Sequence, residues 1–343
     1  MKILLCITAR NDKVLNISGS LKNMGHDVHV LNIGSYHSQC TYMAKKIDEL
    51  GFHVGRDRYR RRWQSNFVQT LLDWKPKKCI FINIASYLLS ESDWHYVRQK
   101  TAQANIQYIL WLVDPISIHG EGVKQFKYFD KIFTYEKKDA ESLADLNIKV
   151  AYLPVGYNWA YECNSLQENE KKWDVCFVGS PYKNRMVILN EVAKKGQELG
   201  WKIKIAGPFW SALYIWKKYI VKLKYPHMYK CVDNGELAIE KVALLYKQSK
   251  ICLNIHVGGA DALNPRTFDI LATGALEIID TRGYYDKIIP GKDLVTYENT
   301  DELIQQIKYY LENNDKREEI AQDGWQCAKK YYSMYRLLKE LLE

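Results

Sequence analysis

Residues 262–280 read ALNPRTFDILATGALEIID. This stretch predicts a short helix followed by a buried strand. Asn264 has the side chain of an N-cap, Pro265 sits where a first helical residue needs no N–H, and Gly274 marks the far end, so the helix covers about 265–273. A plain core helix needs neither Arg266 nor Asp269 near its start. A helix N-terminus with free N–H groups attracts anions, and Arg266 adds a bidentate phosphate donor. Asp269 lies three positions on, on the same face. Its carboxylate suits a pair of vicinal hydroxyls, as on ribose. One short element could thus hold both the phosphate and the ribose of a nucleotide. The plainer reading is a local ion pair between the two, worth a few tenths of a kcal/mol.

Outward from this stretch, short apolar runs alternate with amphipathic segments. KILLCI, DVHVLNI, CIFINI, QYILWLV, KIFTY and KVAYLP form a first set of predicted strands. WDVCFVG, WKIKIAG, ICLNIHV, GALEIID and DLVTY form a second. The alternation implies parallel sheets with crossover helices. The purest strands are apolar throughout, as expected when both faces are covered. GYNWAYECNSLQENEKKW, between the sets, is polar and lacks helical periodicity. The expected organisation is an α/β chain of two doubly wound domains. The first is 1–160, followed by a linker at 161–172. The second is 173–325, followed by a C-terminal helix at 326–343 packing back on the first domain. Asp315 and Glu318 suggest a capping box before that last helical region. Ligands of doubly wound sheets bind at the carboxyl ends of the strands, so a cleft between the domains is expected.

Composition narrows the class. The chain has 343 residues, 47% hydrophobic and 26% charged, with 25 Tyr and 10 Trp. The net charge of +9 favours an anionic partner. Cys6, Cys79, Cys176 and Cys252 each sit inside an apolar run, where cysteine acts as a small hydrophobe. No CxxC pair or Cys/His cluster points to zinc. The N-terminus lacks the long apolar run of a signal peptide. A cytoplasmic, reduced protein is the expectation.

The opening stretch, NPRTFDILATGALEIID, resembles the donor-nucleotide segment of GT-B glycosyltransferases. It is most similar to the spore-maturation-protein (CgeB-type) branch of the glycosyl-transferase-1 superfamily. IIPGKDLVTYENTDELIQQIKYYLENNDKREEIAQDGWQ resembles the segment that follows in that family, and VCFVGSPYKNR resembles the first strand and loop of the same domain. VAYLPVGYN resembles the end of the N-terminal domain, which otherwise matches in architecture and in WLVDP. Asp269 stands where the family carries Glu, and Thr273 where Cys is common. The resemblance implies a GT-B fold of two Rossmann-like domains. It implies a hexosyltransferase-type enzyme that uses a nucleotide-diphosphate sugar as donor, without metal or further cofactor.

Site residues follow from the motifs. Gly179, Ser180, Lys183 and Arg185 lie in the loop–helix junction after a buried strand, a place that suits a diphosphate. The resemblance implies that a basic residue there neutralises the departing diphosphate. Asn264, Arg266, Thr267 and Asp269 complete the donor set. Many retaining members of the superfamily carry two acids eight positions apart, and here the pair is Asp261 and Asp269. Asp261 would lie near the donor sugar, and its plainer reading is a turn cap. Asp114 and His119, in WLVDPISIHG, are candidates for contact with the acceptor or the transferred sugar; an Asp-Pro turn and a loop histidine are the alternatives.

Two basic segments stand outside these motifs. GRDRYRRRWQSN, residues 55–66, offers arginines with Tyr59 and Trp63 for stacking on a nucleic acid; a solvated loop entering a helix is the preferred reading. FWSALYIWKKYIVKLKY, residues 209–225, places Phe209, Leu213, Trp216, Ile220 and Leu223 on one helical face beside lysines. That pattern fits either an interfacial helix at the inner face of a membrane or a core-packed helix. The function expected is transfer of a sugar to a hydroxyl of a glycan, lipid-linked or cell-surface polymer precursor, with retention of configuration. The alternatives are a nucleotide-sugar epimerase on the same fold and a degenerate GT-B protein that binds glycan.

Overall fold

The computed structural model describes residues 1–7, 11–32, 54–83, 89–118, 120–144, 149–162, 170–207, 215–233, 237–257 and 261–343. The chain divides into two compact units, Met1–Val155 with Met334–Glu343, and Gly156–Ser333.

The first unit is built on a parallel sheet of β1 (Lys2–Ile7), β2 (Asp27–Asn32), β3 (Lys78–Ile82), β4 (Gln107–Leu112), β5 (Lys131–Thr134) and β6 (Val150–Tyr152), in the order β2-β1-β3-β4-β5-β6. Alternate residues of a strand face opposite ways. Leu4 and Cys6 of β1 share a core with α2 (Val54–Trp74), α3 (Glu91–Thr101) and α4 (Lys137–Ala144), through Trp63, Phe67, Trp94 and Leu143. Ile3, Leu5 and Ile7 pack with α1 (Asn11–Asn23) and with the C-terminal helix Met334–Leu342, through Ile17, Leu21, Leu337, Leu338 and Leu341. Both faces are covered, which is why these strands read as continuous apolar runs.

The second unit repeats the plan. Its sheet has the order β11-β10-β9-β7-β8 and parallel pairing. The strands are β7 (Trp173–Val178), β8 (Ile203–Ala206), β9 (Ser249–Asn254), β10 (Leu276–Asp280) and β11 (Val295–Tyr297). Val175 and Phe177 pack with α5 (Lys183–Leu199) and α9 (Thr300–Glu312). Cys176 and Val178 pack with α7 (Ile239–Lys247), α8 (Pro265–Ala272) and α10 (Asn314–Tyr331). The strand order reverses between β7 and β9, and such a switch point is where a doubly wound sheet opens a crevice at its carboxyl ends.

Several boundaries differ from the sequence expectation. Residues 156–161 belong to the second unit: Tyr157 is buried and bridges Ser333, and Tyr161 stacks on Tyr246. Helix α10 runs unbroken across residue 326, and the units divide at Ser333/Met334 instead. Asp315 is not an N-cap. The helix starts at Asn314, and Asn314 Nδ2 donates to Glu318 Oε1 at 2.9 Å. Residues 55–66 are helical within α2, not a loop. Trp63 is fully buried and stacks on Phe67, so it offers no platform to a nucleic acid. The helix over 215–224, α6 (Ile215–Lys224), buries Val221 but leaves Tyr219, Ile220 and Leu223 exposed. Ile220 and Leu223 were expected on one apolar face, and that face meets solvent here. Phe209 and Leu213 lie outside the described residues, as does the side chain of Trp216.

Candidate active site

Helix α8 forms as its sequence predicts. Asn264 is the N-cap, with its Oδ1 accepting the Arg266 N–H at 3.0 Å, Pro265 occupies the first turn, and Gly274 follows with φ +70°. The Thr267 N–H is bonded to the Asn264 carbonyl at 3.1 Å. Two of the N–H groups expected to be free are therefore used inside the cap. The terminus presents the positive end of its dipole and the Arg266 side chain.

At the carboxyl ends of β7 and β9, α8 borders a pocket of about 380 Å³. Gly179, Ser180 and Arg185 line it from the β7–α5 junction. Asn264, Pro265, Arg266 and Asp269 line it from α8, and Tyr161, Val242 and Tyr246 from the opposite side of the same unit. The volume falls within the range of small-molecule sites.

Two guanidinium groups dominate its electrostatics. Arg266 Nη1 donates to Asn254 Oδ1 at 2.7 Å. Arg185 Nε donates to the Ile255 carbonyl at 2.7 Å, and its Nη1 to the Ser180 carbonyl at 3.4 Å. Both lie against the Phe177 ring, at 5.7 and 5.6 Å from its centroid. Among the described residues neither has a carboxylate partner. Burial, then the charge of Arg266, pushes the Arg185 pKa down to about 10, so Arg185 remains cationic at neutral pH. Two neighbouring cations without a salt-bridge partner among the described residues form a place for a polyanion.

Glycines make the approach possible. A Cβ on Gly179 would lie 2.8 Å from Phe177 Cζ and 3.1 Å from Arg266 Nη2. Gly207, at φ +134°, has its Cβ direction 2.7 Å from the Gly179 carbonyl oxygen. Gly207, just after β8, thus lies directly against the loop that borders the anion pocket.

Asp269 has a different partner from the local ion pair considered above. Its Oδ1 accepts the Asn158 backbone N–H at 3.0 Å, while Arg266 turns to Asn254. The two side chains line the same pocket, as their shared helix face predicts.

The remaining candidates are spread more widely. Lys183 opens α5 and is exposed, away from the pocket lining. Thr267 is fully buried, with its hydroxyl donating to Glu277 Oε1 at 3.0 Å. Asp261 is half-buried and lies over Gly283, whose Cβ would sit 3.1 Å from the Asp261 Cγ. Asp114 belongs to the first unit, is exposed, and accepts from Asn83 Nδ2 at 2.6 Å. His119 lies outside the described residues.

Other groups here were not singled out from the sequence. Asn254 and Glu277 are fully buried polar residues in the apolar strands β9 and β10. A polar letter inside ICLNIHV, and another inside GALEIID, was the available signal. His256, Asp280 and Arg282 form a second cluster at the strand ends. His256 Nδ1 lies 2.8 Å from Asp280 Oδ1, and Arg282 Nη1 donates to Asp280 Oδ2 at 2.8 Å. Burial lowers the His256 pKa, against the opposing pull of Asp280.

Comparison with known proteins places this geometry. Residues 185–343 match a family described as glycosyl transferase-like. No curated protein matches the chain in sequence. Solved structures match it over nearly its whole length. A glycosyltransferase from Rickettsia africae ESF-5 is 13% identical with a TM-score of 0.68, covering 99% of this chain and 96% of its own. Anabaena Alr3699/HepE in complex with UDP is 10% identical with a TM-score of 0.67, covering 100% and 98%. A Listeria monocytogenes chain assigned as a UDP-N-acetylglucosamine 2-epimerase is 11% identical with a TM-score of 0.57, covering 96% and 94%. Residues 185–343 are thus similar to glycosyl transferase-like proteins, a match that supports a transferase, and the solved structures give the chain a GT-B fold.

Proposed function

We propose that the protein is a hexosyltransferase that moves a sugar from a nucleotide-diphosphate donor to a hydroxyl of a carbohydrate or lipid-linked acceptor. The carrying observation is the pair Arg185 and Arg266, cationic and without a carboxylate partner among the described residues, in a pocket that also holds Asp269. In this reading the diphosphate lies against the two guanidinium groups and the α8 terminus, whose positive charge stabilises it as it leaves. Lys183 assists from the first turn of α5, and no metal or cofactor is required. Asp269 receives the ribose diol, and Asp261 lies towards the sugar. The leaving phosphate takes the proton of the acceptor hydroxyl, so the anomeric configuration is retained. Asp114 and His119 serve the acceptor. The CgeB-type branch of the glycosyl-transferase-1 superfamily is the family we infer, and cytoplasmic glycan assembly the setting.

The direct test is a thermal-shift panel of UDP, GDP, dTDP and ADP. A ligand at about 100 times its dissociation constant stabilises the folded state by about 2.7 kcal/mol. UDP is the first probe, because the Anabaena relative was solved with it. No shift with any of the four would refute the donor site. Asp269→Asn is expected to weaken the ribonucleotide by roughly tenfold, the scale of one charge-assisted hydrogen bond. The 2′-deoxy analogue should change less, and calorimetry on both ligands checks this.

The epimerase reading draws on the Listeria relative with the same fold. Incubation with donor alone separates the two. Transfer needs an acceptor, whereas epimerisation gives a changed nucleotide sugar without one.

The exposed face of α6 supports a peripheral contact with an anionic membrane. Leu223 is 79% exposed and Tyr219 65%, beside exposed Lys222 and Lys224. Apolar and aromatic side chains next to lysines suit the headgroup boundary, and each basic residue contributes about 1 kcal/mol there. The protein is expected to co-sediment with anionic vesicles at low salt. Changing Lys222 and Lys224 to Glu and Leu223 to Ser should abolish this. Absence of wild-type protein from the vesicle pellet would remove the membrane from the proposal.

A further inference from the structure

Beneath the two guanidinium groups lies a buried polar network. Asn254 Oδ1 accepts from Arg266 Nη1 at 2.7 Å and from Asn264 Nδ2 at 3.0 Å. Asn254 Nδ2 donates to Glu277 Oε1 at 2.8 Å, and the Thr267 hydroxyl donates to the same oxygen at 3.0 Å. Glu277 is completely buried, and its Oε2 has no hydrogen-bond partner.

An amide side chain can present either its oxygen or its NH2 in a given direction. If Asn254 turned its NH2 towards Arg266, two donors would face each other and the guanidinium would lose its anchor. Glu277 Oε1 prevents this, because it demands a donor at the other end of the amide and takes the Thr267 proton, so that the Thr267 hydroxyl accepts from the same Nδ2 at 3.0 Å, as Asn264 Oδ1 does at 3.1 Å. We propose that Glu277 is the positioning residue of the anion site, fixing the Asn254 amide so that its oxygen holds both Arg266 and the N-cap Asn264. This rests on the donor-site reading above.

The carboxyl also stores charge below the pocket. Burial pushes its pKa up to about 7, against the hydrogen bonds from Asn254 and Thr267 and the charge of Arg266. The charged and titratable groups that act on it are Arg266 from α8, Asp280 further along β10, Cys252 from β9, and Tyr285 from the loop after β10. Above neutrality an ionised Glu277 offsets part of the positive charge offered to a ligand; below it, the neutral acid keeps its acceptor oxygen and leaves that charge intact.

The test uses inorganic pyrophosphate, which needs no knowledge of the base. Its affinity is measured by calorimetry on the full chain at about pH 5.5 and about pH 8.5, on either side of the carboxyl's titration. The proteins are wild type, Glu277→Gln and Glu277→Leu, each with a melting curve. Glu277→Gln keeps an acceptor oxygen and removes the charge. It should match wild type at the lower pH and bind about tenfold more tightly at the higher one. The ratio of the two affinities cancels the titration of pyrophosphate itself. Glu277→Leu removes the charge and also the Glu277 acceptor of the Asn254 amide, so it should bind about tenfold more weakly than Glu277→Gln at both pH values. If it does not fold, the pH dependence of the Glu277→Gln ratio decides. A folded Glu277→Leu that binds as tightly as Glu277→Gln, or a Glu277→Gln to wild-type ratio of one at both pH values, overturns the role of Glu277 and leaves the anion site standing. A wild type that ignores pyrophosphate at both pH values overturns the site and this inference together.

Discussion

Replacement of Arg266 by alanine is expected to weaken nucleoside diphosphate binding by about 50-fold while leaving the fold intact. The size follows from the loss of a charge-assisted, bidentate-capable donor, worth about 2–3 kcal/mol. The fold should survive because Asn254 Oδ1 keeps its bond from Asn264, and Arg266 is only half-buried. Arg266→Lys should recover part of the loss, since an ammonium supplies charge without the planar fork. Arg185→Ala should weaken binding to a similar degree but also lower stability, because its guanidinium is buried against the Ile255 carbonyl and the Phe177 ring. Calorimetry beside melting curves separates the two effects. Wild-type affinity in Arg266→Ala, at unchanged melting temperature, would remove α8 from the site.

Gly207→Ala is expected to be strongly destabilising. The backbone there sits at φ +134°, which L-residues rarely adopt, and the new Cβ would meet the Gly179 carbonyl oxygen at 2.7 Å and its nitrogen at 2.8 Å. Backbone atoms cannot swing aside as the end of a side chain can. Strained backbone and overpacking together should cost about 4 kcal/mol, lowering the melting temperature by roughly 10 °C. Because the clash falls on Gly179, the same change should displace the β7–α5 loop and weaken diphosphate binding. Gly200→Ala is the control. Gly200 also has positive φ, +73°, but nothing lies within 4 Å of its Cβ direction. It should show backbone strain alone and unchanged ligand affinity. Equal destabilisation by the two variants would mean that the contact with Gly179 does not matter.

Much of this architecture was legible in the chain itself. Every apolar run read as a strand contains a strand, because a strand covered on both faces is apolar at most positions. The start of α8 was legible for an equally local reason: Asn264 and Pro265 act within one turn of the residues they organise. The shared face of Arg266 and Asp269 followed from helical periodicity. Two local readings missed, for different reasons. Asp315 looked like an N-cap, yet the helix begins one residue earlier. The 55–66 segment looked like a basic loop, yet Trp63 anchors it as a helix on the first sheet.

What the sequence by itself determined is the set of strands, their parallel doubly wound class, and the helix that carries Arg266 and Asp269. Only the tertiary structure decided which groups meet. It set Arg185 and Arg266 against one Phe177 ring, bound Asp269 to the Asn158 N–H, and put Glu277 and Asn254 under Arg266. The physical reason is range. Periodicity, capping and apolar run length are set by neighbours within a few residues, whereas partners on separate strands and helices are chosen by sheet order and by burial, which leaves each enclosed polar group to find whatever donor or acceptor the fold brings within reach.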